Sequence, residues 1–338
     1  MKRIVSAFTL VVFLLGASSL IFAGGAEERQ FVRIATAGTG GNMYRIGAGM
    51  ASVWNDHIEG VTFSTQSTDG SPHNAELIAT GQVEVAFSGG EIAEQAYHGL
   101  GPFADMEEGY YDDIRYFAYI YPNIQMHLVH PSMADEINDI YDLERVGAVV
   151  SKGLTGSQGE AFFYHVVEQL GIDTSGMTLE DTVHGEAIDQ MRDGIIDSAY
   201  WLDGYGSPSH FEMLEFGAVP KSFHPDAIEA MTTGDFHSNE PFTLRAESYP
   251  NQPEDIETVM SPVIMTINAN VDEELAYEMV KVMYENQEAL SAIAGLITDT
   301  LTLEDAGSGL LVPPHPGVER FYEENNVELE MSLHPDLQ

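Results

Sequence analysis

Apolar and polar positions along the chain alternate between two periods, and this alternation predicts strands followed by helices. Residues 31–37 form a short apolar run, and residues 42–57 repeat apolar side chains at three- and four-residue spacing, which is typical of an amphipathic helix. Residues 61–66 alternate like a strand, and the next segment begins at the helix-capping Ser71 and ends at Gly81. This order predicts the α/β class, a mostly parallel sheet with helices on its faces.

The alternation breaks off and then starts again, which predicts a second α/β domain. Residues 114–121 and 125–130 are strand-like runs separated by Pro122, and we interpret them as the first crossing between two domains. A new strand is predicted at residues 146–150, followed by a second glycine-rich loop and a helix. Residues 262–267 are predicted to form the return crossing.

Two domains with two crossings describe a hinged, two-lobed protein. A length of 338 residues favours two domains over one. We assign residues 24–122 together with 260–338 to lobe one, and residues 123–259 to lobe two. Because ligands bind α/β sheets outside the carboxyl ends of their strands, we expect the ligand in the cleft between the lobes.

The first 23 residues have the pattern of a secretory signal peptide. Lys2 and Arg3 precede an almost wholly apolar run, and small residues follow it, so cleavage is expected near Ala23. A single membrane anchor is the alternative, although the apolar run is short for a membrane span. The chain has no cysteine, which excludes disulfides, a thiolate metal site, a cysteine nucleophile and a lipid-anchored cysteine. We therefore expect a mature monomer free in a periplasm.

The charge balance is strongly acidic and limits the possible partners. The chain has 54 aspartates and glutamates against 13 lysines and arginines, a net charge of −41. Nucleic acid and anionic membranes are poor partners for such a surface. Acidic, lysine-poor surfaces suit concentrated salt, which screens self-repulsion, so a halophilic habitat is one interpretation. An ordinary acidic exported protein is the other.

Several segments rich in hydrogen-bond donors follow predicted strands, beginning with the loop GTGGNMY at residues 38–44. Backbone N–H groups at a helix start attract anions, so a shared anion site is favoured. For any one segment, a tight turn or a helix cap explains the residues equally well. Trp201 lies at a predicted strand end and could form a cleft wall or belong to the core, and Tyr44 could reach the cleft from the first turn of its helix. The candidate ligand-binding residues are Thr39, Gly40, Gly41, Tyr44, Thr68, Gly70, Ser71, Asn74, Ser88, Thr155, Ser157, Gln158 and Trp201.

Signatures of cofactors and catalysis are scarce. The first loop lacks the Lys-Ser/Thr pair of a P-loop, and Met43 stands where the dinucleotide fingerprint has its third glycine. His127 and His130 are three apart on a predicted strand, so they point to opposite faces and do not predict a metal site. No metal and no cofactor are expected. A hydrolase that uses a serine at a glycine loop stays as an alternative, and so does an interaction protein without a cleft.

These same segments resemble the TAXI family of solute-binding proteins, the extracytoplasmic receptors of one class of TRAP transporter. The sequence GTGGNMYRIG is similar to the family's opening Gly-Thr-Gly-Gly and two tyrosines, with Met43 in place of the first and Tyr44 as the second. TDGSPHN resembles a Thr-Gly-Gly-Ser motif, with Asp69 for the first glycine. GLTGSQGE resembles a Gly-Ser-Gly-Thr loop, with Gln158 and Gly159 as replacements. The stretch PPHPGVERFYEE near the end is the most specific of these similarities.

The resemblance implies a two-lobed receptor of the type II-like periplasmic-binding-protein fold, which closes on its ligand without catalysis. It implies delivery of a small carboxylate, such as glutamate or 2-oxoglutarate, to a membrane permease driven by an ion gradient. The family usually has proline where Arg45 stands, so Arg45 inherits no role. It is either a new ligand contact or a surface charge.

Overall fold

The computed structural model describes residues 30–297 and 300–337. The predicted signal peptide, residues 1–23, lies outside the described residues. The strands are β1 (Gln30–Ala35), β2 (Val61–Gln66), β3 (Val85–Gly89), β4 (Ile114–Val129), β5 (Val149–Ser151), β6 (Thr178–Glu180), β7 (Ser198–Gly204), β8 (Val219–Lys221), β9 (Glu240–Leu244) and β10 (Ile256–Asn268). The helices are α1 (Asn42–His57), α2 (Ser71–Ala79), α3 (Gly90–His98), α4 (Ile140–Val146), α5 (Gln158–Gln169), α6 (His184–Arg192), α7 (Pro208–Phe216), α8 (Pro225–Ala230), α9 (Glu273–Glu285), α10 (Gln287–Ile293) and α11 (Pro316–Glu324).

The two longest strands, β4 and β10, run antiparallel through the middle of one continuous sheet. Its strand order is β2-β1-β3-β10-β4-β7-β5-β6, with β8 paired to β4 and β9 paired to β10. On one side β1 pairs in parallel with β2 and β3, and on the other β5 pairs in parallel with β6 and β7. Each half therefore places two parallel pairs beside an antiparallel crossing strand, so the halves repeat one architecture. The sheet is mixed, and the predicted mostly parallel sheet is wrong because both long crossing strands pair antiparallel with their neighbours.

The hydrophobic side chains divide along the same line. One cluster is drawn from residues 32–121 and 263–322, and two further clusters are drawn from residues 124–259. The division falls between Tyr121 and Ile124 on β4 and between Val259 and Val263 on β10. Below, lobe one means the part around the first cluster, and lobe two means the part around the other two.

The crossing at Pro122 differs from the predicted break between two strands. A single strand, β4, continues through Pro122, which pairs with Pro262 of β10. Proline has no N–H to donate, so two prolines that face each other leave no donor unpaired. The Pro122 carbonyl accepts a bond from the backbone N–H of Tyr205. The return crossing begins earlier than the predicted residue 262, because β10 starts at Ile256 and pairs there with β9.

The His-Pro-Gly stretch near the end holds α11 against α9. His315 is the N-cap of α11, and one nitrogen of its ring accepts from the Gly317 N–H. The other ring nitrogen, Nε2, lies 3.0 Å from the carbonyl oxygen of Val271. A Cβ atom on Gly317 would lie 2.1 Å from the carbonyl oxygen of Glu273. Only glycine permits this backbone approach, so the motif has a packing role.

Candidate functional site

A cavity of about 590 Å³ lies between the lobes. Lobe one contributes residues within 37–43 and 67–71, and lobe two contributes residues within 151–159, 182–187 and 200–203. These segments follow the carboxyl ends of β1, β2, β5 and β6 and include the end of β7. The cavity thus lies where α/β sheets bind ligands.

Most of the predicted binding residues come together in the wall of this cavity. These residues lie up to 162 positions apart in the chain. They line one cavity because strands of both halves of the sheet end beside it. Their role as ligand contacts stays a prediction. The residues that line the cavity are Thr39, Gly40, Gly41, Thr68, Gly70, Ser71, Ser157, Gln158 and Trp201.

Asn74 lies behind this wall and does not line the cavity. Its amide nitrogen donates to the carbonyl oxygens of Thr36 and Phe87 at 2.6 and 2.8 Å, and its oxygen accepts from the Thr68 hydroxyl at 2.7 Å. The side chain is completely buried. Its hydrogen-bonding groups are used to join α2 to the ends of β1 and β3.

Tyr44, Ser88 and Thr155 also lie outside the lining residues. The buried Ser88 hydroxyl donates to the carbonyl oxygen of Gly89 at 2.9 Å. The exposed Thr155 hydroxyl donates to the Asp181 carboxylate at 2.7 Å. Tyr44 lies in the first turn of α1, where Asn42 and Met43 line the cavity and Tyr44 does not.

Four helices begin at the cavity wall, and most of them have no side-chain cap. The N-caps of α1, α2 and α6 are Gly41, Gly70 and Val183, and no side chain bonds to the first N–H groups of these helices. Only α5 is capped, by the Ser157 hydroxyl. Elsewhere in the described chain, α4, α7, α8, α9 and α11 have side-chain caps, whereas α3 and α10 do not. The cavity therefore faces uncapped positive helix ends.

Two polar bridges cross from one lobe to the other beside the cavity. Asn42 donates to the Asp203 carboxylate at 3.1 Å. The Gln158 amide nitrogen donates to the Glu91 carboxylate, and the Gln158 oxygen lies 3.4 Å from the Ser71 hydroxyl, which donates to it. These bridges hold the lobes together in the conformation described.

The Asp203 carboxylate is satisfied by the protein itself. One oxygen accepts from Asn42 and from its neighbouring N–H at Gly204, and the other accepts from the Ser209 hydroxyl at 2.6 Å. The His184 ring stacks on Trp201 with ring centres 4.4 Å apart, and its Nδ1 lies 3.8 Å from the same carboxylate. Asp203 therefore organises this wall.

Neutral groups dominate the rest of the wall. Among the described residues that line the cavity, none is lysine or arginine, and the acids are Asp69 and Asp203. Asn123, on β4 at the crossing, is buried, and its side-chain oxygen has no partner. The hydroxyls of Ser151 and Thr182 lie 2.5 Å apart. A ligand here meets amides, hydroxyls and backbone N–H groups.

Sequence reasoning missed Asn42, Asn123, His184 and Asp203. Asn42 directly follows the glycine loop, which was a usable signal. Asp203 and His184 are ordinary polar residues in an acid-rich chain until the fold places them beside Trp201. The side chain of Arg45 donates to Asn42 at 2.7 Å and does not line the cavity.

Serine–histidine pairs in the described residues lie outside the cavity lining: His130 with Ser132 is at the surface, and His127 with Ser198 is inaccessible to solvent. His127 Nε2 lies 2.9 Å from the Ser198 hydroxyl, and both residues are fully buried. Burial lowers the pKa of His127 to about 3, so the ring is neutral at physiological pH. In the same described ranges, no cluster of three or more histidines and acids could hold a metal ion, and no helix has the length and apolarity to cross a membrane.

Comparison with known proteins shows the family to which the sequence belongs. The NMT1-like family matches residues 34–325. MatC from Rhodopseudomonas palustris with bound malate is 12% identical, with a TM-score of 0.55, over 88% of this chain and 99% of MatC.

Two further solved structures have comparable scores. The periplasmic binding protein BugD is 9% identical, with a TM-score of 0.53, over 89% and 99% of the two chains. XAC2383 from Xanthomonas citri bound to ATP is 8% identical, with a TM-score of 0.52, over 87% and 95%. At these identities the likeness shows the fold, and the predicted α/β fold of periplasmic binding proteins is confirmed.

Proposed function

The chain belongs to the NMT1-like family, and from that premise we propose that it is the extracytoplasmic receptor of a TRAP transporter of the TAXI type. It captures a small carboxylate, such as glutamate or 2-oxoglutarate, between its lobes. It then delivers this ligand to a membrane permease that is driven by an ion gradient. The resemblance of the glycine loop and of the His-Pro-Gly stretch to TAXI proteins supports this narrower assignment.

The uncapped helix starts at the cavity are the observation that supports a carboxylate as the ligand. The helices α1, α2 and α6 direct free N–H groups and positive dipole ends at the same space. Each such end favours an anion by about 0.3–1 kcal/mol, and by more when partly buried. Hydrogen bonds to a charged group add roughly 1.5–3 kcal/mol each. An anion can therefore be bound here without a lysine or an arginine.

The size of the cavity agrees with a small ligand. A volume of about 590 Å³ lies within the usual range for small-molecule sites. MatC, which shares the fold, is described with bound malate, a dicarboxylate. The cavity wall around Trp201 and Tyr121 supplies apolar contact for the carbon chain of such a ligand.

The receptor works as a monomer in the periplasm, after removal of the signal peptide at residues 1–23. Its two lobes are residues 24–122 with 260–338, and residues 123–259. The predominance of acidic side chains supports a halophilic habitat. Its function is binding, so the ligand leaves chemically unchanged.

Isothermal titration calorimetry at high salt tests the proposal. The ligands are glutamate, 2-oxoglutarate, succinate and glutamine, with a neutral sugar and a polyamine as controls. We expect a carboxylate to bind with a micromolar or lower Kd, and the controls to be silent. Binding of the sugar or the polyamine, with every carboxylate silent, would refute the anion site.

Two further measurements test the narrower claims. Mass spectrometry of the bound ligand after incubation should recover it intact, and a hydrolysed product would favour the enzyme alternative. Uptake into vesicles that contain a TAXI-type permease should require both this protein and an ion gradient. Uptake that requires ATP instead would contradict the TRAP assignment.

A further inference from the structure

The helix α3 packs a polar face against lobe two, next to the cavity but outside its lining. Glu91, Glu94 and Gln95 share this face, and each is at most 2% exposed. The Gln158 side chain reaches from lobe two and donates to Glu91. Gln95 donates to the carbonyl oxygen of Asp235, also in lobe two, at 3.0 Å. Two carboxyl groups are therefore buried where the lobes meet.

Glu91 has one side-chain partner, which is neutral, and one oxygen without a partner. Its Oε1 accepts from the Gln158 amide, and its Oε2 is buried without a partner. A buried ionised carboxylate without a cation is costly. Burial accordingly raises the pKa of Glu91 to about 7. Hydrogen bonds from its backbone and from Gln158 lower this pKa, and the nearby Glu94 carboxylate raises it.

The surroundings of Glu94 are different because imidazoles face it. His237 of lobe two lies 2.8 Å from its carboxylate. Burial raises the pKa of Glu94 to about 7, His334 opposes this rise, and Asp235 adds to it. Burial lowers the pKa of His237. Burial also lowers the pKa of His98, which lies on α3 with Glu94, and His334 lowers the pKa of His98 further. Burial favours the protonated form of the Glu94 carboxyl and the neutral form of the imidazoles. Proton uptake by the carboxyl and proton release by the imidazoles therefore partly cancel at this site.

We propose that Glu91 takes up a proton when the two lobes close, so that acid favours the closed cleft and tightens the capture of ligand. This inference rests on the hinged closure in the proposed function. Opening would separate Glu91 from Gln158 and admit water, which restores an ordinary carboxyl. The closed state then binds more protons than the open state between about pH 4.5 and pH 8, so closure becomes more favourable as the pH falls through this range. Among the described residues, no histidine is one of the groups that shift the pKa of Glu91, so no imidazole there offsets this uptake.

The lack of cysteine makes a direct measurement possible. Gln82→Cys in lobe one and Gln169→Cys in lobe two place two unique spin labels on exposed positions. Pulsed electron paramagnetic resonance then reports the distance between the lobes without any ligand. Between pH 8 and pH 5.5, we expect the closed-to-open ratio to rise at least about tenfold.

Variants in this background identify the titrating group. Glu91→Gln, which imitates the protonated acid, should remove most of the pH dependence and keep the closed population high at pH 8. Gln158→Leu should move the midpoint to higher pH, because the bond that favours the carboxylate is lost. Glu76→Gln, on an exposed position of α2, is the matched control and should behave as the parent protein.

Three outcomes would overturn the inference: a distance distribution that ignores pH in the parent protein, an unchanged pH response in folded Glu91→Gln, or an unmoved midpoint in Gln158→Leu. Circular dichroism establishes that each variant is folded. The readout uses no ligand, so failure of the carboxylate panel in calorimetry would refute the proposed ligand and leave this result intact.

Discussion

At the scale of single residues, the glycine loop is open towards the cavity. A Cβ atom on Gly40 would meet no protein atom within 4 Å, and the residue is exposed in the wall. Gly40→Val should therefore leave the melting temperature unchanged and weaken ligand binding at least about tenfold, because the side chain fills space that the ligand needs. Calorimetry and thermal melting check this pair of results.

The control for Gly40→Val is Gly307→Val, since Gly307 has equally open surroundings but lies outside the cavity lining. It should change neither binding nor melting. A strongly destabilised Gly40→Val protein would instead indicate a purely structural turn.

Substitution of Asn74 tests whether this residue has a structural role or a role in ligand binding. Asn74→Ala removes the donor to two carbonyl oxygens and the acceptor for Thr68. We expect the free energy of unfolding to fall by about 2 kcal/mol or more, because buried polar groups lose their partners. Chemical denaturation measures this change.

Asn55→Ala is the matched control for Asn74→Ala. Asn55 also bonds to a backbone, that of Phe63, but it is exposed, so water can replace its amide and the loss should stay below about 1 kcal/mol. Asn74→Ala with native stability and lost binding would restore Asn74 as a ligand contact.

At the scale of elements, the start of α6 offers a test of ligand charge. Val183 is its N-cap and is 48% exposed, with extended backbone angles that suit a capping side chain. Val183→Asp and Val183→Asn should both stabilise the fold by about 0.5–2 kcal/mol. Only Asp adds a negative charge at the cavity wall.

For an anionic ligand, Val183→Asp should weaken binding by on the order of 1 kcal/mol more than Val183→Asn. Calorimetry of both variants under the same salt gives this difference. Tighter binding by the Asp variant would mean that the ligand is a cation and would contradict the proposed carboxylate.

The order of elements was predictable from the sequence because it depends on local periodicity. Strand–helix alternation and the glycine loops identified both halves of the sheet. The predicted break at Pro122 was wrong. A proline is tolerated inside β4 because it faces Pro262, which lies on a strand far along the chain. The bridges from Asn42 to Asp203 and from Gln158 to Glu91 were unpredictable for the same reason. A contact of this kind follows from how the halves meet, and no local pattern encodes it.

At the scale of the whole molecule, several of the few cations pair with neighbouring acids. Arg33 pairs with Glu84, and Arg320 bonds to both Glu273 and Glu274. Lys152 contacts Glu160 and a second acid. With 54 acids against 13 lysines and arginines, most carboxylates cannot have a cation of their own. The folded state therefore carries repulsion that local pairing cannot relieve.

This repulsion predicts that salt stabilises the protein well beyond 0.15 M. A net charge of −41 favours the expanded, unfolded chain, and the Debye length falls from about 10 Å at 0.1 M to about 3 Å at 1 M. We expect the melting temperature to rise by more than about 5 °C over this range, which for a chain of this length corresponds to about 3 kcal/mol. Potassium chloride and sodium perchlorate should act alike up to about 0.5 M, because screening depends only on ionic strength. They should diverge only at higher concentration, where ion-specific effects on apolar hydration enter. A melting temperature that stays flat in both salts would remove the halophilic interpretation, and stabilisation by chloride alone below 0.5 M would assign the effect to ion binding.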